Sequence, residues 1–279
     1  MPIRVMHMGL GPIGAAVVRQ TATRPGFKVV AGVDIDPPKA GRDLGEVVGL
    51  DKKLRVKVTG DLRAAVKAST PDVVALCTSS SLKKVWPQIE ALLGLRVPIV
   101  STTEELAYPA HSHKRLAAAI DAAARKAKVA VLGTGVNPGF TMDALPITLT
   151  GVCERVDAIT VNRIQDARSR RLPFQQKIGC GLTPAEFQAR VDDGRVRHVG
   201  LTESIAMIAD ALGWKLQRVT DEIEAKIAEA PVSSPFLTVE AGRVCGLIQD
   251  GTGYVKGEPI IRLHMDCLLY TSPSPGDTR

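Results

Sequence analysis

Three glycines near the start of the chain have the spacing of a phosphate-binding turn. Gly9, Gly11 and Gly14 follow a short β-prone run and open a helical pattern. Gly9 permits a tight turn, Gly11 leaves room for a pyrophosphate beside the backbone, and Gly14 lets the helix pack close to the strand. A helix that begins at Pro12 and Ile13 would present its positive dipole end to the phosphate. The segment therefore predicts a dinucleotide-binding site.

An acidic residue stands where it would complete this site. Asp34 follows a second β-prone run, twenty residues after Gly14, and a carboxylate at this distance can bind the hydroxyls of the adenosine ribose. Lys39 and Arg42 follow closely and could instead neutralise a 2′-phosphate. The predicted cofactor is NAD or NADP, and the residues leave both open.

β-Prone and helical segments alternate through the first half of the chain, a pattern typical of a Rossmann-type, doubly wound parallel sheet. Ligands bind outside the carboxyl ends of the strands in such a sheet. Asn137 can offer both a donor and an acceptor to a nicotinamide carboxamide, although Asn-Pro-Gly is also an ordinary turn. The polar residues near strand ends that we expect to contact the cofactor are Cys77, Thr78, Ser79, Thr102 and Asn137.

Two adjacent carboxylates, Glu104 and Glu105, follow the strand predicted at residues 98–100. A carboxylate beside a nicotinamide can hold an ammonium group or move protons. The alternative is that both are solvent-facing acids that cap the helix predicted from Pro109 to Lys128. Adjacent residues in an extended chain face opposite sides, so one acid is expected to point into the cleft. These residues alone do not decide which.

The pattern changes in the second half, which predicts a mixed α+β substrate domain. An alternating run at residues 156–163 reads as a half-buried strand, and Thr183 with Glu186 has the spacing of a helix capping box. The expected boundaries are residues 1–134 for the dinucleotide-binding domain and 135–266 for the substrate and catalytic domain.

A cluster of arginines in the second half is a candidate site for an anionic substrate. Arg163, Arg170 and Arg171 carry guanidinium groups, which pair well with carboxylates. The alternative is a solvated basic loop that pairs with its own Asp166.

Composition excludes several classes of protein. The 279 residues are 45% hydrophobic and 23% charged, which is typical of a globular chain. The net charge is +7, but only 4% of residues are aromatic, which disfavours a nucleic-acid binder. No apolar run is long enough to predict a membrane span. The five scattered cysteines predict neither disulfides nor zinc and indicate a cytoplasmic protein; His111 and His113 are expected on the surface, so no metal is predicted.

These segments together resemble the 2,4-diaminopentanoate dehydrogenases and the native amine dehydrogenases, which share a dihydrodipicolinate-reductase-like architecture. The resemblance implies reversible reductive amination of a small ketone or keto acid with ammonia, catalysed by a protein that is a homodimer when full length. It also implies that Glu104 is the catalytic acid that binds ammonia and holds the iminium. The substrate contacts that we expect are Glu104, Asn137, Phe140 and Arg163. The matching segments are residues 9–14, 41–46, 101–109, 133–140 and 162–182.

Two other functions have to be considered. Dihydrodipicolinate reductases carry a His-His…Lys stretch and a Ser-Gly-Thr loop in the second domain, and residues 162–177 contain neither. An imine reductase of that kind is therefore the second hypothesis. The third is an NAD(P)-binding protein without catalysis, or an inactive fragment.

The last residues do not fit the pattern before them. The strand that ends at Met265-Asp266 is expected to stop there, and residues 267–279 form a Pro/Ser-rich tail. That tail resembles the translation of an adapter used to prepare sequencing libraries. We expect it to be foreign sequence on a C-terminally truncated chain, while the alternative is a natural flexible tail.

Overall fold

The computed structural model describes residues 1–269 and divides the chain into two compact units. The first unit is Met1–Phe140, and the second begins at Thr141. The division thus falls after Phe140 rather than after residue 134. The loop before Phe140 folds back on the end of the first unit, since a Cβ atom added at Gly139 would lie 2.9 Å from the carbonyl carbon of Thr134.

A six-stranded sheet forms the first unit. All its strands are parallel, in the order β3-β2-β1-β4-β5-β6, which is the Rossmann-type order expected from the sequence. The strands are β1 Ile3–Met8, β2 Phe27–Val33, β3 Val58–Thr59, β4 Val73–Leu76, β5 Ile99–Ser101 and β6 Val131–Gly133. The helices are α1 Pro12–Thr23, α2 Leu44–Val47, α3 Leu62–Ser69, α4 Leu82–Gly94, α5 Pro109–Ser112 and α6 Lys114–Ala127, with 3₁₀ turns at Pro37–Lys39 and Glu104–Leu106.

Apolar side chains pack the sheet against its helices. One cluster joins Leu76 of β4 and Ile99 of β5 to Ile89 of α4, and a second joins Val18 of α1 to Leu44 of α2. Burying these branched side chains provides most of the drive to fold, at about 1.5–3 kcal/mol for each large side chain. The sheet thereby becomes a rigid support for the loops at its carboxyl edge.

The helix expected from Pro109 to Lys128 is broken, which corrects the prediction. His113 ends α5 and precedes α6, with φ −129° and ψ 45°, outside the helical region. Its ring Nε2 lies 3.1 Å from a carboxylate oxygen of Glu105, a tertiary contact that helical periodicity does not reveal.

The second unit is built on a four-stranded mixed sheet in the order β7-β12-β11-β8. Here β11 and β12 form a long antiparallel hairpin, β8 joins β11 antiparallel, and β7 joins β12 parallel. The strands are β7 Ile159–Asp166, β8 Arg218–Ile227, β9 Val232–Ser233, β10 Thr238–Val239, β11 Val244–Val255 and β12 Glu258–Leu268. The helices are α7 Ala144–Thr150, α8 Leu172–Lys177, α9 Pro184–Asp192 and α10 Leu201–Ala211. Among the described residues, no helix is both long and apolar enough to cross a membrane.

The start of α9 is as predicted, and α10 packs closely on the sheet of this unit. Thr183 and Glu186 form the expected capping box at the start of α9. α10 lies against glycines of β11, where a Cβ atom added at Gly251 would be 2.9 Å from carbon atoms of Leu201 and Ile205. The strand expected at residues 156–163 is displaced to Ile159–Asp166 because its partner is β12.

The end of β12 also differs from the prediction. The strand does not stop at Asp266 but continues to Leu268, because Cys267 and Leu268 pair with residues of β7 and β11. The N–H of Leu269 then donates to the carbonyl oxygen of Cys245 at 2.7 Å. Residues 270–279, most of the predicted foreign tail, lie outside the described residues. All five cysteines are free thiols.

Candidate active site

The carboxyl edge of the first sheet gathers the residues predicted to hold the cofactor. Gly9 follows β1, Asp34 follows β2, Cys77 follows β4, and Thr102 follows β5. Asn137 lies in the turn after β6. Since all six strands are parallel, these positions lie at the same end of the sheet, the end at which such folds bind ligands.

The glycine turn has the shape that a dinucleotide pyrophosphate requires. Gly9 has φ +86°, and an added Cβ there would lie 2.7 Å from the carbonyl oxygen of Cys77. An added Cβ at Gly14 would overlap the carbonyl oxygen of Gly9. At Gly11, the residue before α1, it would meet nothing within 4 Å, and no side chain caps the helix. Beside Pro12 and Ile13 the helix start is therefore open to a phosphate.

Asp34 is fixed by backbone donors. Its carboxylate accepts the N–H of Leu10 at 2.6 Å and the N–H of Asp36 at 2.9 Å. Lys39 places its ammonium group 3.1 Å from Asp34 and 3.2 Å from Asp36. Burial raises the pKa of Asp34, but the two backbone donors and Lys39 outweigh it, so the pKa is lowered overall. A fixed, ionised carboxylate at this position suits the hydroxyl groups of a ribose.

The loop after β4 is held by its own side chains. The hydroxyl of Thr78 is 2.7 Å from the amide oxygen of Gln88, and the hydroxyl of Ser79 accepts the N–H of Ser81 at 3.2 Å. Burial raises the pKa of Cys77, opposed by a hydrogen bond with Thr102, so its thiol is neutral. Cys77, Thr78, Ser79 and Thr102, the four predicted cofactor contacts here, therefore present an uncharged surface.

The carboxylate of Glu105 is held by contacts with other residues of the protein. Its Oε2 atom accepts the N–H of Leu82, the first residue of α4, at 2.8 Å and lies 3.1 Å from Nε2 of His113. The side chain of Ser81 makes no capping bond, so Glu105 takes over that function. Glu105 therefore caps α4. One hypothesis from the sequence was that it caps the helix after Pro109, and that hypothesis is wrong for this residue. His113 is correspondingly half-buried rather than a surface residue.

Glu104 differs from its neighbour. Its Oε2 atom is buried and has no hydrogen-bond partner among the described residues. Keeping a carboxylate oxygen from water without a hydrogen-bond partner is costly in folding free energy. The geometry thus separates the two acids, which the local sequence could not do.

The remaining first-unit candidates lie in the turn after β6. Asn137 is only 7% exposed, whereas Phe140 is 53% exposed. Asn137 is thus held within the protein, and Phe140 presents an apolar surface.

Arg163 belongs to the second unit, where it has no carboxylate partner among the described residues. Asp166 forms its ion pair with Arg168 at 2.7 Å, which is not one of the three candidate arginines. The guanidinium of Arg163 contacts the side chains of Gln165 and Met265 at 3.1 and 3.5 Å. Burial lowers the pKa of Arg163, Cys267 partly opposes this effect, and the charge of Arg170 adds to it.

His198 lies close to this arginine, which the sequence did not indicate. Burial, with the charges of Arg163 and Lys177, lowers the pKa of His198 to about 4. The side chain of Gln249 holds the backbone of His198, accepting its N–H at 2.9 Å, and also donates to Asp221 at 2.7 Å. Because these residues are distant in sequence, no local pattern could have revealed the cluster. Within residues 1–269, no group of three or more His, Cys, Asp or Glu is arranged to hold a metal.

Comparison with known proteins identifies relatives of both halves. The family model described as dihydrodipicolinate reductase, N-terminus, matches residues 3–131, and the 2,4-diaminopentanoate dehydrogenase C-terminal domain matches residues 140–268. The likeness to the reductase thus covers the first half, which accounts for that alternative hypothesis.

Whole-chain relatives agree with the second match. The chain is 34% identical to a 2,4-diaminopentanoate dehydrogenase of Acetoanaerobium sticklandii, over 95% of this chain and 75% of the relative. It is 25% identical to an amine dehydrogenase of Streptomyces virginiae, over 95% and 76%. The structure of an amine dehydrogenase from Mycobacterium smegmatis has the same fold, with a TM-score of 0.83, 22% identity, and coverage of 99% of this chain and 81% of that one. The chain therefore belongs to the 2,4-diaminopentanoate dehydrogenase family and is an NAD(P)-dependent oxidoreductase of the amine dehydrogenase type.

Proposed function

We propose that this protein catalyses the reversible reductive amination of a small keto acid with ammonia. In the balanced reaction, ketone, ammonia, NAD(P)H and a proton give amine, NAD(P)⁺ and water. The observation that carries the proposal is the buried, unpartnered carboxylate oxygen of Glu104, which follows a strand of the dinucleotide-binding sheet.

Glu104 is the proposed catalytic residue. A carboxylate beside the carbonyl carbon would bind ammonium and accept its proton, so that free ammonia can add to the carbonyl. It would then return a proton to the hydroxyl of the resulting carbinolamine, which leaves as water to give the iminium. The iminium that follows is positively charged, and a partly desolvated carboxylate stabilises such a charge more strongly than water does. Asn137 and Phe140 are proposed to contact the substrate as well, through an amide group and an apolar ring.

The residues present fit NAD(P), which supplies the hydride when bound. The space beside Gly11 would take the pyrophosphate, and Asp34 would bind the adenosine ribose. We propose a preference for NAD over NADP. Asp34 and Asp36 together outweigh the single charge of Lys39, so this group of three carries a net negative charge that opposes a 2′-phosphate.

The environment of Arg163 favours a substrate that carries a carboxylate. The charge of Arg170 lowers the pKa of Arg163, and the charges of Arg163 and Lys177 lower the pKa of His198. Among the described residues, no carboxylate contacts Arg163. Like charges that lack a counter-ion are repulsive, and a bound carboxylate relieves that repulsion. The name of the Acetoanaerobium relative, 2,4-diaminopentanoate dehydrogenase, is that of a dehydrogenase of a diamino acid, which agrees with this class.

The test measures NADH oxidation with 2-amino-4-oxopentanoate and ammonia. We expect turnover that requires ammonia, and Glu104→Gln should lower kcat by about 100-fold or more while NADH still binds. Turnover without ammonia, or NADH binding without any turnover, would contradict the proposal.

A second arm tests the substrate class. Arg163→Gln should raise KM for the keto acid by about tenfold and leave KM for 2-pentanone, which lacks the carboxylate, nearly unchanged. Arg155→Gln is the matched control, since Arg155 is 80% exposed and pairs with Asp157. An equal change for both ketones would refute the assignment of Arg163.

We also propose a cytoplasmic homodimer. The five free thiols suit a reducing compartment, and the family resemblance supports the dimer. Light scattering after size exclusion would measure the mass, and a monomer at micromolar concentration would contradict this assembly.

A further inference from the structure

We propose that Glu105 and His113 are positioning residues that hold Glu104 in place for the reaction. This inference rests on the proposed function, because it concerns the orientation of Glu104. Neither residue needs to touch substrate or cofactor. Both would act through the short 3₁₀ turn, Glu104–Leu106, that carries the proposed catalytic carboxylate.

The first support is that Glu105 ties the turn both to the loop before α4 and to the first residue of that helix. Its own N–H donates to the carbonyl oxygen of Ser80 at 3.2 Å, and its carboxylate accepts the N–H of Leu82 at 2.8 Å. A carboxylate at the start of a helix is also favoured by the helix dipole. One residue therefore anchors the turn through main chain and side chain together.

The second support is the position of His113. His113 lies between α5 and α6 and has non-helical backbone angles. Its Nε2 atom is 3.1 Å from the carboxylate of Glu105. The side chain of Glu105 is only 17% exposed and that of His113 33% exposed, so water screens the contact incompletely. His113 thus holds Glu105 through a contact from the segment between α5 and α6.

The third support is that the chain before Glu104 is equally constrained. Thr103 is fully buried, and its N–H donates to the hydroxyl of Ser101 at 3.1 Å. Glu104 therefore sits between a fixed residue and an anchored one, while its Oε2 atom has no partner of its own among the described residues. Its direction is set by its neighbours, and a displacement of about 1 Å at a reacting group can cost about 100-fold in rate.

The experiment compares four variants of the full chain in the keto acid and ammonia assay. Glu105→Ala removes the anchor, and Glu105→Gln keeps an oxygen for the N–H of Leu82. His113→Ala removes the lateral contact, and His111→Ala is the matched control, because His111 is an exposed histidine of α5. For each variant we would measure kcat, KM for ammonia, the Kd of NADH by fluorescence, and the folded fraction by circular dichroism.

For Glu105→Ala we expect kcat per folded molecule to fall at least about tenfold, with KM for ammonia raised and the Kd of NADH unchanged within about twofold. Glu105→Gln should restore kcat to within about threefold of the parent, His113→Ala should lie between them, and His111→Ala should match the parent.

Three results would overturn the inference. They are an unchanged kcat in folded Glu105→Ala, an equal loss of kcat in the Ala and Gln variants, or a loss of total activity that a smaller folded fraction accounts for entirely. If Glu105→Ala does not fold, an unchanged kcat in His113→Ala overturns it instead. Glu104→Gln, measured beside them, keeps the two proposals separate: full activity in that variant would refute the proposed function itself.

Discussion

Replacing Asp34 by Asn tests how the first unit distinguishes NAD from NADP. The parent carboxylate is ionised, nearly buried, and held by the N–H groups of Leu10 and Asp36. Asparagine keeps the size of the side chain and one of its two oxygens, but it removes the charge. The group formed with Asp36 and Lys39 then changes from a net charge of −1 to neutral.

The size of the effect follows from the charges. A 2′-phosphate carries about −2 and, bound at the ribose position, would lie about 5 Å from the carboxylate. With an effective dielectric constant of about 40, Coulomb repulsion is about 3.3 kcal/mol, and physiological salt roughly halves it. The remainder, about 1.8 kcal/mol, is about a 20-fold change in the ratio of the two kcat/KM values.

The assay follows nicotinamide absorbance with NADH and with NADPH at fixed keto acid and ammonia. We expect the parent to have the higher kcat/KM with NADH. In Asp34→Asn, the ratio of kcat/KM for NADH to kcat/KM for NADPH should be about 20-fold lower. Asp61→Asn is the matched control, because it removes one charge from the same unit at the start of α3. A ratio that Asp34→Asn leaves within about twofold of the parent, or a parent that prefers NADPH, would refute the electrostatic argument.

Two further predictions concern the glycine turn and the hairpin β11–β12. Gly14→Ala should abolish NADH binding or folding, because the new methyl group would overlap the carbonyl oxygen of Gly9; wild-type fluorescence of bound NADH in this variant would contradict the geometry. In the hairpin, His264 lies 2.7 Å from Asp250 and 3.0 Å from Asp266, and although burial lowers its pKa, the two carboxylates raise it overall. The protonated form stabilises the fold below about pH 6.5, and this contribution of about 0.5–1 kcal/mol is lost as pH rises through the elevated pKa. Urea unfolding of the parent and of His264→Gln at pH 6 and pH 9 would measure it, and an equal pH dependence in both would exclude this pair of contacts as the cause.

Sequence reasoning succeeded where short-range rules govern the structure. The glycine turn needs only a strand, three glycines and a helix, and the order of the parallel sheet follows from alternating elements. The capping box of Thr183 and Glu186 is likewise contained in four residues.

It did not succeed where distant residues decide the outcome. Glu104 and Glu105 have the same side chain, and what separates them is the N–H of Leu82 and the ring of His113. The break between α5 and α6 depends on the same contact of His113 and is therefore not encoded in the local sequence. In the second unit, the surroundings of Arg163 include Met265, 102 positions further along the chain, so no local pattern could have described them.

The parallel pairing of β7 with β12 has a consequence for the order of folding during synthesis. Among the described residues, β7 has a single neighbour in its sheet, and that neighbour is made 102 residues later, as the contact between Arg163 and Met265 illustrates. At about 5–20 residues per second, ribosomes need about 5–20 s to make the missing strand. The first unit can fold in this interval, while the edges of β7 remain unpaired and open to other chains. Slower translation before β12 should therefore increase aggregation, and chaperones that shield exposed strands should be needed mainly in this interval.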